Sequence, residues 1–195
     1  MSALPSFILA SASPRRRELL GGLGVRFTVR AVDIDETPRP GEDPRETVIR
    51  LAKEKAVERA HPGELVLAAD TVVVIDGDLL GKPTDPEDAR RMLGRIAGRE
   101  HTVFTAVTLE EPGRGRQVSG IETSRVRMAP LTPDEIAWYV DTGEPMDKAG
   151  SYAVQGIGAL FVEEVHGNYT NVVGLPLPLT HRLFRELGYE LLDFR

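Results

Sequence analysis

The chain has 195 residues, 41% of them hydrophobic, and a net charge of −6 at pH 7. That is enough apolar content for one sizeable core, and the expectation is a single domain over residues 1–195. The acidic balance excludes a general nucleic-acid binder, which displays a basic stripe, the absence of cysteine excludes disulfides and thiolate metal sites, and no apolar run approaches the ~18 residues of a membrane span, so a cytoplasmic protein without membrane contact is expected.

FILAS reads as a buried strand. A helix is predicted from Pro14, because Ser13 can cap an orphan N–H and proline suits the first helical position. RFTVRAV reads as a second strand ending at DIDET. In EDPRETVIRLAKEKAVERA, Asp43 supplies a cap, Pro44 the first helical residue and Glu46 the rest of a capping box, with Val48, Leu51, Ala52 and Ala56 on one apolar face. LVLAADTVVVIDGDLLG reads as a buried strand running through Asp70 into a hairpin that turns at Asp76 to Asp78. DPEDARRMLGRIAG begins another capped helix, with Ala89, Met92, Leu93 and Ile96 at helical spacing. HTVFTAVTLEE and VSGIETSRVRMA read as strands joined across a turn at 112–116. LTPDEIAWYVDTG is a further capped helix, followed by a strand in ALFVEEV, a helix from about Pro178 to Leu187 and a short last strand. The alternation predicts an α/β fold with mixed strand directions, and NYT at Asn168 reads as an ordinary polar turn.

Several unusual segments fall where strands give way to loops or helices, the usual place for ligands in open α/β sheets. Arg15, Arg16 and Arg17 occupy the first turn of the Pro14 helix, where the macrodipole disfavours each cation by roughly 0.3–1 kcal/mol. Asp70 interrupts an apolar run, and a buried acid is costly unless paired or bound to a metal. Together with Asp33, Asp35 and Glu36 it offers the hard oxygen ligands that Mg²⁺ or Mn²⁺ prefers. The chain also writes its cations as arginine except at Lys53, Lys55, Lys82 and Lys148, and a compact ammonium is not interchangeable with a guanidinium. Carboxylates with several cations suggest a metal-bound polyphosphate. An anion at the Pro14 helix terminus would turn the arginine penalty into attraction, with Arg17 the one of the three expected to face solvent.

The ordered segments LASASPRRREL, DIDE, LAKEKA, LAADTVV, GKP, REHTVFTAV and MDKAGSYAVQG together resemble the Maf family of nucleoside triphosphate pyrophosphatases, from about residue 7 to residue 175. The resemblance implies an inosine-triphosphate-pyrophosphatase-like fold, an elongated mixed sheet flanked by helices in two lobes with a cleft, and commonly a homodimer. It implies hydrolysis of a nucleoside triphosphate to the monophosphate and pyrophosphate with a divalent cation. It makes Asp70 the proton acceptor and, with Glu36, a metal-site carboxylate. Ser13, Arg15, Arg16, Lys55 and Lys82 become the phosphate-handling set, with Lys82 counted among the catalytic residues. Arg15, Thr71 and Gln155 match positions tied to substrate choice. DKAGSYAVQG resembles the branch acting on dTTP and UTP, whereas the branch acting on 7-methyl-GTP carries a cysteine and a differently written loop. Gln155 offers both a donor and an acceptor, which suits the amide-like edge of uracil or thymine. Ala106 departs from a frequent family glycine, and His101 is expected to be a hydrogen-bonded structural histidine rather than a catalytic one.

Two other readings come from the same residues. DIDET matches the D-x-D-x-T pattern of aspartyl-phosphate phosphatases, with Asp33 as nucleophile, although no downstream acidic pair for the metal accompanies it. A nucleotide-binding regulator of cell division without turnover is the other. The chain has no P-loop and no G-x-G-x-x-G fingerprint, which sets a kinase or dinucleotide enzyme behind both.

Overall fold

The computed structural model describes residues 4–58 and 60–195. Strands β1 (Ser6–Leu9), β2 (Thr28–Val29), β3 (Glu64–Ile75), β4 (Asp78–Leu80), β5 (Glu100–Glu111), β6 (Arg116–Met128) and β7 (Val162–His166) form one mixed sheet in the order β2-β1-β3-β5-β6-β7, with β4 paired to β3. The helices are α1 (Pro14–Gly21), α2 (Pro44–Val57), α3 (Pro86–Ile96), α4 (Pro133–Asp141), α5 (Tyr169–Val173) and α6 (Leu177–Glu186). The chain divides into two compact units, one of Met1–Asp70, Thr105–Glu122 and Gly174–Arg195, the other of Thr71–Phe104 and Thr123–Val173.

In the first unit β1 runs parallel to both its neighbours, with Ile8 opposite Thr28 and Val66, and Leu9 opposite Val29 and Leu67. Side chains alternate across a strand, so Phe7 and Leu9 join Leu65, Leu67 and Ala69 against Leu20 of α1 and Leu179, Leu183 and Phe184 of α6. Ile8 and Ala10 join Val66 and Ala68 on the other face, against Ala56 of α2. Burial on both faces is what makes FILA an unbroken apolar run. Helix α2 is held at its start by the expected capping box between Asp43 and Glu46, and its buried stripe is Val48, Leu51, Ala52, Lys55 and Ala56. Arg59, in the tail of that predicted helix, lies outside the described residues.

Two expectations change here. The strand predicted in RFTVRAV contracts to Thr28–Val29, because Arg26 N instead donates to the Phe194 carbonyl at 2.6 Å. The predicted last strand is a 3₁₀ turn, Leu191–Phe194. Leu191 and Phe194 bury their side chains in the same core as Phe7, and packing overrides the local pattern.

In the second unit, Asp76 and Gly77 both adopt positive φ, 55° and 84°, giving the two-residue hairpin between β3 and β4 with Ile75 opposite Asp78. Helix α3, capped by Asp85, places Ala89, Met92, Leu93 and Ile96 in a core with Val73, Val103, Val126, Met128 and Tyr139. The strand predicted in ALFVEEV begins only at Val162, because Gly156–Phe161 winds into a 3₁₀ turn.

His101 is buried, and its Nε2 lies 2.7 Å from the Tyr152 hydroxyl, the hydrogen-bonded state expected of it. Burial lowers its pKa from 6.5 to about 4. Between those two values the unfolded chain binds a proton that the folded protein does not, so stability falls as pH drops from 6.5 to 4, by about 3 kcal/mol in all. Urea titrations of a His101→Gln variant across that window should give a flatter stability profile than the parent, and an unchanged slope would assign the acid sensitivity elsewhere.

Candidate active site

The first unit gathers most of the singled-out residues. Period-two alternation puts Asp70 on the same face of β3 as Val66 and Ala68, the face that α2 covers. On α2, Lys55 follows Leu51 by four residues and Ala52 by three, so it falls on the buried stripe where the helix would otherwise be apolar. Its ammonium donates to Asp70 Oδ1 at 2.6 Å, and both side chains are only 9% exposed. The same ammonium lies 2.7 Å from Glu36 Oε1, whose side chain is 45% exposed in the loop after β2. One buried cation thus joins a buried acid and a half-exposed one.

Its loop neighbours do other work. Asp35 Oδ1 accepts the Thr37 backbone N–H at 2.9 Å, and this hydrogen bonding to Thr37 holds the Asp35 carboxyl below its usual range. Asp33 is exposed.

Helix α1 opens beside this cluster. Ser13 caps it, its Oγ accepting the Arg16 N–H at 3.5 Å, and the first turn contains no acid. Arg16 is half-buried, with its Nε donating to the Gly174 carbonyl at 2.7 Å and a terminal nitrogen to Ser11 Oγ at 3.2 Å. Burial lowers its pKa, and the charge of Asp70 opposes that most strongly, followed in size by Arg15, which lowers it further, and Glu36, which raises it. The guanidinium therefore shares a field with both carboxylates. Arg15 is half-buried and Arg17 exposed, the distribution expected if the second and third arginines of the run have different tasks.

Thr71, Lys82 and Gln155 belong to the second unit. Thr71 is the half-buried residue after Asp70 in β3, and Lys82 is exposed in the GKP turn after β4. Gln155 is half-buried and extended, at φ −113° and ψ 169°, just before the 3₁₀ turn Gly156–Phe161. Its side chain makes no hydrogen bond among the described residues. Sequence reasoning passed over Glu144, whose carboxylate organises this loop. Its backbone partners, Ile157 and Gly158, lie thirteen and fourteen residues further on, a spacing that no local pattern flags.

Among the described residues, no group of three or more His, Cys, Asp or Glu side chains is arranged to hold a metal. Asp70 and Glu36 are two carboxylates that both reach the Lys55 ammonium. Two carboxylates with the remaining positions filled by phosphate oxygens and water is the usual protein share of a Mg²⁺ site at a nucleotide, so the donor set fits such an ion. Among the described residues, no helix is long and apolar enough to cross a membrane.

The family model described as Maf-like protein matches residues 6–187. A protein named dTTP/UTP pyrophosphatase from Anaeromyxobacter sp. (strain Fw109-5) is 56% identical over 94% of this chain and 90% of its own length. Proteins with the same name from Myxococcus xanthus (strain DK1622) and Gloeobacter violaceus (strain ATCC 29082 / PCC 7421) are 52% and 50% identical, over 94% and 92% of this chain and 93% and 94% of theirs. Among solved structures, a HAM1 protein from Coxiella burnetii is 17% identical, with a TM-score of 0.47 over 66% of this chain and 75% of that one.

Proposed function

The chain belongs to the Maf-like protein family, and from that premise we propose that it hydrolyses dTTP and UTP to the monophosphate and pyrophosphate. The observation that carries the reading is the Lys55 ammonium joining buried Asp70 to Glu36 in a unit that also carries Arg16. Such an arrangement has the negative and positive groups that a metal-bound polyphosphate requires.

In this reading Asp70 orients and deprotonates the water that attacks the α-phosphorus. Lys55 engages its Oδ1, which leaves Oδ2 to accept the proton. Asp70 and Glu36 would hold a divalent cation, Mg²⁺ or Mn²⁺, which supplies charge neutralisation on the phosphates when bound. Ser13, Arg15, Arg16 and the N–H groups of α1 receive phosphate oxygens, since a helix start without an acid favours an anion. Lys82 completes the set as a point charge on the departing pyrophosphate. Arg15, Thr71 and Gln155 choose the substrate, with the unengaged Gln155 amide pairing with the pyrimidine edge. The same premise carries a cytoplasmic homodimer whose partner molecule is the nucleotide rather than nucleic acid or membrane, and a single catalytic domain over 1–195.

The test is a panel of nucleoside triphosphates with phosphate and pyrophosphate detected separately. Pyrophosphate from dTTP and UTP is expected. Inorganic phosphate alone would favour Asp33 and the D-x-D-x-T phosphatase, and stable binding without turnover in the presence of Mg²⁺ would favour the regulator. Within the phosphate set, Arg15→Ala and Lys82→Ala should lower kcat/KM for dTTP by about 10- to 100-fold, the range of a charge-assisted hydrogen bond, while Arg17→Ala should change it less than twofold. Equal losses at all three would mean that the exposed arginine also reaches the substrate.

A further inference from the structure

We propose that Glu144 is a positioning residue for base selection, holding the backbone on both sides of Gln155. The proposal rests on the reading of Gln155 given above. Glu144 follows α4 in the turn opened by Gly143. Its Oε1 accepts the Ile157 N–H at 2.9 Å, and its Oε2 accepts the Gly158 N–H at 2.8 Å and the Tyr139 hydroxyl at 2.6 Å. The Tyr139 oxygen in turn accepts the Ala153 N–H at 3.1 Å. Bonds that originate at one carboxylate therefore reach the chain before Gln155 and after it.

The 3₁₀ turn Gly156–Phe161 has no side-chain cap from Gln155, the residue in the cap position. Orphan N–H groups at such a start need an acceptor, and Glu144 provides it from thirteen residues away in sequence. The fit is close: Gly156 adopts φ +67°, and a Cβ there would collide with Glu144 Oε1. Lys148 Nζ donates to the Glu144 backbone carbonyl at 2.5 Å and to Asp147 Oδ1 at 2.7 Å. Although burial pushes the Glu144 carboxyl up, the bonds from Tyr139, Ile157 and Gly158 and the charge of Lys148 bring it below the ordinary range. The brace on this loop is thus a carboxylate, which leaves the Gln155 amide available for a ligand.

Glu144→Gln tests this, because the near-isosteric amide offers one acceptor oxygen where three donors converge on two. The readouts are kcat/KM for dTTP, UTP, CTP and GTP, together with hydrogen exchange at the Ile157 and Gly158 amides, with Gln155→Ala measured in parallel. Preference for dTTP over GTP should fall about tenfold, the scale of a lost charge-assisted bond, and both amides should exchange faster. Equal losses on all four nucleotides, or unchanged ratios, would overturn the proposal. If Gln155→Ala erodes the ratios and Glu144→Gln does not, the positioning role alone fails. If Gln155→Ala leaves them intact, the base-reading role fails and takes this one with it. Should Glu144→Gln not fold, Tyr139→Phe removes one bond to the carboxylate inside an unchanged ring and is held to the same criteria with a smaller fall.

Discussion

Asp70→Asn should yield a folded protein whose turnover of dTTP is lower by about 10²- to 10⁴-fold, the usual contribution of one general base. Folding should survive because the amide has nearly the same shape, keeps an oxygen for the Lys55 ammonium now 2.6 Å away, and leaves that ammonium its second partner, Glu36. Turnover should not survive, since an amide neither accepts a proton from water nor ligates a hard cation well. Pyrophosphate release measured beside a urea unfolding curve separates the two effects. Near-normal turnover by the folded variant would remove Asp70 from the chemistry.

The second large effect is on stability. Lys55→Met is expected to cost about 3–5 kcal/mol, because removing one partner of a buried pair leaves the other charge with no bonded cation and only the field of Arg16 to offset its burial. Asp70 would then stand 9% exposed on the strand face it shares with Val66 and Ala68, whereas Glu36 is nearly half-exposed and loses its Lys55 contact at little cost. The check is a lower urea midpoint at an unchanged m-value. The same substitution made in Asp70→Asn should cost distinctly less, and that difference is the coupling of the pair. A loss under 1 kcal/mol in the parent would mean that the carboxylate has another source of solvation.

Both residues were visible in the sequence as anomalies, an acid in an apolar strand and one of four lysines in a chain that otherwise writes its cations as arginine. Their pairing was not, because it depends on α2 lying over one face of a parallel β1/β3 pair and on Glu36 reaching back from a loop. Helices α2, α3 and α4 were legible since caps and periodicity agree at each. The stretch from Glu144 to Phe161 was not: it is built from 3₁₀ turns, and the last of them starts on N–H groups whose acceptor is one side chain 13 and 14 residues away. The C-terminal turn was misread as a strand for a related reason, since Leu191 and Phe194 answer to the core and not to their neighbours. Local signals reach as far as the pairings they describe are local.

The segment Gly174–Arg195 contributes none of the acids or lysines discussed above, yet it belongs to the same unit as Asp70. Its first carbonyl anchors Arg16, and Leu179, Leu183 and Phe184 roof the Phe7 and Leu9 face of β1. In genetic terms it is not a dispensable tail. A nonsense codon placed after the last polar residue of interest would still spare every motif in the reading frame while stripping the cover from β1 and freeing Arg16, so its product should behave as a null allele.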